Sequence, residues 1–314
     1  MIVAIVDIGS NTIRMNAYSI KGSGHSELIV SRKIMAGIAC YISKKHVMSE
    51  SGIKCLCSSL TDIKAVMGHF KIDKVAAFAT ASLRNVVNSA EVLERIAVAI
   101  GWHVDVLSGE EEARLGLAGV RGHVKTVCGT LVDIGGGSTE ATVFNGDAIE
   151  SAQSFGIGSL NLYKRFVDDD ILPQASQIKK MDREIDYTIN RSTLHIPKQA
   201  DAIVGIGGTS RAILKLARNM FPSENIVSVI AAKQLRQLSE LLYSRNKKAV
   251  DLIVRTCSQR AHTIIPGMMI MVKIFDLAKA KELEVCQAGL REGYLASLIS
   301  RKGMFQNKYR RPQD

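Results

Sequence analysis

Two stretches of this chain repeat one pattern of apolar and polar positions. An apolar, β-branched run ends in Asp7, passes through Ile8-Gly9-Ser10-Asn11-Thr12, and resumes with Ile13, Met15, Ala17 and Tyr18. The run ending in Asp133 passes through Ile134-Gly135-Gly136-Gly137-Ser138-Thr139 and resumes with Ala141, Val143 and Phe144. Each copy predicts a strand, a tight turn of phosphate size and a returning strand. Asn145-Gly146 after the second copy is a strong hairpin signal and predicts a further strand from Ala148 to Phe155.

Between the copies, helical periodicity covers about 49–69, 81–100 and 109–121, with strands at 73–79 and 103–107. After residue 155 the pattern predicts helices near 159–168, 174–192, 210–219, 231–243, 247–254, 258–277 and 289–300, with a buried strand at 201–206. This is α/β order. Two halves are expected, 1–124 and 125–314, with a last helix at about 289–302 that can pack back on the first half. The boundary near Lys125 rests on where the echo restarts, because no Pro- or Gly-rich linker marks it.

Composition narrows the class. At 314 residues, 46% hydrophobic and 23% charged, the chain should bury two cores without disulfides or metals as staples. The start MIVAIVDIGS has no basic leader, and Ile264–Val272 is short and interrupted by Pro266 and Gly267, so a cytoplasmic protein without a membrane partner is expected. Six scattered cysteines fit neither a zinc knuckle nor a redox pair and read as free thiols. Seven histidines lack metal-ligand spacing. The net charge of +11 favours a polyanionic partner. With 5% aromatic residues and no recognition motif, nucleic acid is a poor candidate.

The chemistry concentrates in the glycine turns. In Asp133 to Glu140, successive glycines let backbone N–H groups approach an oxyanion, and carboxylates at both ends suit a hard cation. Phosphate with Mg2+ or Mn2+ fits best: Gly135, Gly136, Gly137 and Ser138 cradle the anion, and Asp133 and Glu140 hold the metal. The matching turn adds Ser10 and Asn11 as anion donors and Asp7 as a further metal ligand. Facing a common cleft, such a pair would clamp a phosphate chain. The bland alternative is a pair of flexible turns with solvated acids. A third loop, Gly205-Ile206-Gly207-Gly208-Thr209-Ser210, lies between a strand and a helix, so Gly207, Gly208 and Thr209 are further anion candidates. It is neither a Rossmann fingerprint nor a Walker loop. Ser108-Gly109-Glu110-Glu111-Glu112 opens a helix; one of its three carboxylates is a candidate general base, while Ser108 and Glu111 also have the spacing of a capping box. Arg84 and Asn88 share a predicted helix face at i and i+4, with Arg84 a candidate phosphate ligand or an ordinary surface arginine.

Taken together these segments resemble the exopolyphosphatase and guanosine pentaphosphate phosphohydrolase family. The resemblance runs from Asp7 to about Leu298 through DIGSNTIRM (7–15), ATASLRNVVN (79–88), LSGEEEARLGLAGV (107–120), DIGGGSTE (133–140), SFGIGSLNL (154–162), GIGGTS (205–210), QRAHTIIPG (259–267) and GLREGYL (289–295). It implies duplicated actin-like α/β domains, of the actin, sugar-kinase and acetate-kinase superfamily, with an interdomain cleft. It implies hydrolysis of terminal phosphoanhydride bonds in polyphosphate or pppGpp, and possible homodimers. By motif position it implies Glu111 as the base, Asp133 and Glu140 as the magnesium side, Arg84 and Asn88 as substrate ligands, and Arg291 closing on phosphate from the far lobe. The family's usual acids in E-R-A-D-x-I-x-P-G are replaced by Gln259 and His262, which makes that surface more basic. A kinase of the same superfold and a non-catalytic polyphosphate- or nucleotide-binding regulator remain alternatives, because fold alone does not decide activity.

Overall fold

A computed structural model describes residues 1–21, 26–168, 170–197 and 200–300; the tail after Gly303, expected to be basic and frayed, lies outside the described residues. The described residues form two compact units, Met1–Ser108 with Arg291–Ser300, and Gly109–Leu290. The division therefore falls before the third predicted helix rather than at Lys125.

In the first unit β1 (Ile2–Ile8), β2 (Ile13–Ile20), β3 (Ser26–Ile34), β4 (Lys74–Ala79) and β5 (Val104–Val106) form one sheet in the order β3, β2, β1, β4, β5. β1 to β3 are antiparallel neighbours, whereas β4 and β5 join in parallel. Parallel neighbours require crossovers, and α1 (Glu50–Gly68) and α3 (Ser89–Ile100) supply them. Both are amphipathic: Ile53, Leu56, Leu60 and Ile63 on one, Val92 and Ile96 on the other, are buried with Val6, Ile8, Ile13 and Met15. Ser49 caps α1 by accepting from the Gly52 N–H at 3.3 Å.

The predicted helix over 81–100 is broken into α2 (Ala81–Arg84) and α3. Tertiary hydrogen bonds hold the gap open. Val87 N donates to His46 O at 2.8 Å, while the Asn88 side chain accepts from Met48 N at 2.9 Å and donates to Met48 O at 3.1 Å. An asparagine amide that satisfies a neighbouring backbone this fully competes with helix continuation. β3 was not foreseen, since most of its residues are exposed and it offers no alternation.

In the second unit β6 (Cys128–Ile134), β7 (Thr139–Asn145), β8 (Ala148–Phe155), β9 (Ala202–Ile206), β10 (Val229–Ala231) and β11 (Glu282–Val285) lie in the order β10, β11, β9, β6, β7, β8. The first three again run antiparallel, and β9 again joins the first strand in parallel. The echo reaches fine detail. A register shift follows Ala17 in the first sheet and Val143 in the second, at the same distance from Asp7 and Asp133. Strands β10 and β11 are short, which hid them from pattern reading.

Helices α4 (Gly109–Val120), α5 (Ser159–Phe166), α6 (Ala175–Asn190), α7 (Gly207–Met220), α8 (Ala232–Ser244), α9 (Lys247–Cys257) and α10 (Ala261–Ala278) complete this unit. α4 belongs here because Gly116 lets it approach Leu131 and Ile206, and Gly109 lies against Ser154. α10 is the centre of the core, with Ile264, Ile265, Met268, Ile270, Met271 and Ile274 all buried. Pro266 sits inside α10 and does not interrupt it, in agreement with the helix predicted over 258–277. By length and composition Lys247–Ala278 could cross a membrane, but 67% of its most apolar window is buried in this unit, as in a core helix.

Glu284 fixes the entry to β6: its carboxylate, 5% exposed, accepts from Lys125 N at 2.9 Å, Thr126 N at 3.1 Å and Thr126 Oγ1 at 2.6 Å. Glu284→Ala leaves two backbone donors unsatisfied, so chemical denaturation should show a loss of about 2–4 kcal/mol; an unchanged midpoint would show that water replaces the carboxylate without cost.

Candidate functional site

The second glycine turn is closed by Gly135 N donating to Ser138 O at 2.9 Å. Its carbonyls are drawn onto the start of α5. Ser159 N and Oγ reach Gly135 O at 2.9 and 3.0 Å, Leu160 N and Asn161 N each reach Gly136 O at 2.9 Å, and Asn161 Nδ2 reaches Gly137 O at 2.8 Å. With every glycine carbonyl engaged on one side, the peptide planes turn their N–H groups away from α5. Among the described residues, no acceptor meets the N–H of Gly136 or Gly137. That is the shape of an anion nest. Gly158 makes the close approach possible, since a Cβ there would strike the Gly136 and Gly137 backbone at 2.6–2.7 Å.

Beside the turn, Asp133 and Glu140 are cross-strand partners on β6 and β7, so both carboxylates leave the same face of the sheet. Glu140 is 8% exposed and its Oε1 accepts from Ser138 Oγ and Ser154 Oγ, each at 2.7 Å. α4 brings a third acid. Glu112, also 8% exposed, lines one small pocket with Asp133, Glu140 and Thr142. Glu111, one position earlier, is exposed on the first turn of α4. Among the described residues no cluster of three or more His, Cys, Asp or Glu has the arrangement of a closed metal cage. Mg2+ does not need one, because it keeps several waters and takes one or two carboxylates with substrate phosphate. Asp133 and Glu140 fit that donor set.

The third glycine segment is not a loop: Gly207 to Ser210 form the first turn of α7. Gly207 has φ +76°, and a Cβ there would collide with Asp133 Oδ1, so the aspartate lies directly against its backbone. Thr209 is 2% exposed and donates to Ile134 O at 2.8 Å, which makes it a brace under the turn rather than a ligand. Ser82 donates to Ile8 O in the same place in the first unit. Sequence reading missed Arg260. A Cβ on Gly208 would collide with its guanidinium, which also feels the charge of Asp133; burial pulls the group below its ordinary pKa, and Cys257 and Asp133 favour its charge. The signal lies in QRAH at 259–262, where Arg260 stands between the two positions that depart from the family's acids.

The first turn has the same backbone and the opposite electrostatics. Gly9 N donates to Thr12 O at 3.1 Å, but the partner across from Asp7 is Arg14, where Glu140 stands in the second copy. α11 (Leu290–Ser300) adds another cation: Arg291 Nη1 donates to Asp7 Oδ2 at 2.8 Å, within the first unit. Glu292 accepts from Tyr18 OH at 2.5 Å, and Tyr294 OH donates to Asp105 at 2.6 Å. Two expectations are therefore corrected. Asp7 is committed to an arginine instead of a metal, and Arg291 belongs to the unit that carries Asp7, not to a far lobe. Burial pushes the Asp7 carboxyl above its ordinary value, opposed by Arg291. Burial works against the Arg291 charge too, yet Asp7, Glu292 and Tyr18 hold it firmly protonated. Ser10 and Asn11 are buried, their carbonyls accepting from Ala39 N and Gly37 N at 2.8 and 3.0 Å. Asn11 Nδ2 is a buried donor without a partner. Arg84 Nη1 donates to Leu107 O at 2.9 Å, and Asn88 is occupied by Met48, so the two do not share a helix face.

Two mixed sheets, each with a glycine turn after its first strand and a braced helix start beside it, define a duplicated α/β protein of the actin-like kind. The chain matches the Ppx/GppA phosphatase family over residues 19–302, and it belongs to that family. It is 24% identical over 303 residues to Exopolyphosphatase 1 of Mycobacterium tuberculosis, covering 94% of this chain and 87% of that protein. It is 26% identical over 310 residues to the guanosine-5'-triphosphate,3'-diphosphate pyrophosphatase of Photobacterium profundum, covering 95% of this chain and 59% of that longer protein. The crystal structure of the Aquifex aeolicus member of the Ppx/GppA family superposes with a TM-score of 0.76 at 27% identity, covering 96% of this chain and 99% of that one.

Arg291→Met strands the Asp7 carboxylate, so it should cost about 3–5 kcal/mol near neutral pH, and adding Asp7→Asn should recover most of it. The sign with pH follows. With its folded value raised above 3.8 by burial, Asp7 binds protons more readily folded than unfolded. The deficit of the single variant should thus be largest above the folded value and shrink as pH falls towards 3.8. Denaturant titrations across pH test this, and a flat difference would remove Asp7 as the cause.

Proposed function

We propose that the chain removes terminal orthophosphate from a condensed phosphate, inorganic polyphosphate first and guanosine pentaphosphate as a second substrate, in the manner named for its relatives. The observation that carries the reading is the juxtaposition in one unit of an N–H-lined glycine turn with the Asp133 and Glu140 carboxylates.

In this reading Gly136 and Gly137 donate backbone N–H groups to oxygens of the terminal phosphoryl group, and Arg260 beside Gly208 supplies positive charge at its edge. Such donors are fixed before substrate arrives, so they stabilise spreading negative charge without reorganising. Asp133 and Glu140 would hold Mg2+ or Mn2+, which supplies charge neutralisation at phosphate oxygens. Ser138 and Ser154 keep Glu140 oriented by hydrogen bonds to Oε1. Glu111, exposed at the start of α4, takes the proton from the attacking water and passes it to solvent. Glu112, buried one position later, shapes the pocket beside the carboxylates. Positioning and electrostatics do most of the work in such transfers.

Phosphate release from polyphosphate, tripolyphosphate, pppGpp and ATP, with and without Mg2+, tests the activity. Stoichiometric ADP with a phosphorylated acceptor would replace it by a kinase, and tight binding without turnover under any metal would replace it by a regulator. Glu111→Gln keeps shape and removes the base, so kcat should fall roughly 10²- to 10⁴-fold with KM little changed. If Glu111→Gln stays fully active while Glu112→Gln loses that factor, the base is Glu112.

A further inference from the structure

Beyond the glycine turn, α7 carries Arg211, Lys215 and Arg218 and no acid. Spacings of four and three place them on successive turns of one face, about 5.4 Å apart along the axis. The segment packed against α7 continues the row. Asn219 Nδ2 donates to Thr256 Oγ1 at 2.8 Å, joining the ends of α7 and α9. Cys257 follows, close enough to feel both Lys215 and Arg260; burial pushes its thiol up to about 11 against both cations. Arg260 lies on Gly208 at the start of α7. Cations therefore run from the edge of the Asp133 site through Arg260 to Lys215, and Arg255 directly precedes the Thr256 that bonds Asn219 at the end of α7.

An ordinary solvated helix face would mix signs. Here α7 has no acid and α9 has one, Asp251, a turn before Arg255; Lys215 and Arg255 are exposed with no ion pair among the described residues. Like charges at i and i+4 work against a helix, a cost that a bound polyanion offsets. Neither α7 nor α9 contains Phe, Tyr or Trp. Bases of a single-stranded nucleic acid would find nothing flat to stack on, whereas a chain of phosphates needs only the cations.

Resting on the reading under Proposed function, we infer that the α7 and α9 face is a track for the distal phosphates of a linear condensed phosphate whose end occupies the Gly135 turn. Arg211 donates to Gln287 O at 3.1 Å and Arg218 to the carbonyls of Ile226 and Val227, so Lys215 and Arg255 are the members to test.

The full chain with Lys215→Ala and Arg255→Ala is compared with wild type on long polyphosphate and on tripolyphosphate. The expected result is a rise of roughly five- to tenfold in KM for the long chain, as for two lost exposed ion pairs. The tripolyphosphate KM should move less than about twofold, and the salt dependence of long-chain KM should flatten by about one to two in log–log slope. Exchanging the cations, Lys215→Arg with Arg255→Lys, should restore the long-chain KM. An unchanged long-chain KM, or an equal rise for tripolyphosphate, overturns the track. Direct binding of long polyphosphate to the same proteins separates the two readings. If wild type releases no phosphate, the activity reading fails; equal polyphosphate affinity in wild type and double variant sinks the track whatever the activity. Displacement of polyphosphate by single-stranded RNA at equal or lower phosphate concentration would assign the face to nucleic acid instead.

Discussion

The structure depends on one turn, made twice, in which the N–H two residues after a strand-borne aspartate bonds to the carbonyl three residues on. Gly9 and Thr12 form it in one unit, Gly135 and Ser138 in the other. A Cβ on either glycine would press on that carbonyl at 3.0–3.1 Å. The bond fixes the antiparallel register that follows, so the residue opposite the aspartate is set by geometry before its identity matters. Identity then decides chemistry. Arg14 opposite Asp7 makes the first turn a site of cancelled charge, and Glu140 opposite Asp133 makes the second a pair of carboxylates.

The second turn is shaped from outside as much as from within. Three glycines alone would be floppy, because each loses more conformational freedom on ordering than any other residue. Six hydrogen-bond contacts from residues beyond the turn offset that: the start of α5 gathers the carbonyls, and Thr209 holds Ile134 from below. Gly158 and Gly207 are the complementary requirement, positions where any side chain would enter the turn or displace Asp133. The site thus tolerates little movement of α5, α7 or β6. Placing its donors on the ends of regular elements holds them more firmly than a free loop could.

Much of this was legible in the sequence. The echo announced two similar halves, and strands, glycine turns and most helices stand within a few residues of where periodicity puts them. What failed did so for identifiable reasons. The helix over 81–100 broke because Asn88 and Val87 bond to the segment around Met48, a tertiary contact that no local pattern carries. The edge strand β3 is too exposed to alternate, and β10 and β11 are too short. In the site, residue types were readable and partners were not. Thr209 looked like an anion ligand because hydroxyls beside glycines often are, and its burial under Ile134 emerges only from the packing of α7 on β6. Arg260 was overlooked because its significance lies in touching Gly208, far away in sequence.

The C-terminal helix shows how charge balance, more than motif, sets roles. Arg291, Glu292 and Tyr294 fall within one turn of α11, and each bonds a different strand of the first sheet through Asp7, Tyr18 and Asp105. Arg291 and Asp7 are only 12% and 18% exposed, so neither could be left without the other at small cost. A cation at Asp7 would have to displace an arginine already desolvated with it. The remaining asymmetry points the same way. Asn11 keeps a buried amide donor with no acceptor, a deficit of about 1–3 kcal/mol that an oxyanion can make good and a metal ion cannot. The two copies of the turn therefore differ where the geometry leaves identity open: an arginine stands opposite Asp7 and a glutamate opposite Asp133.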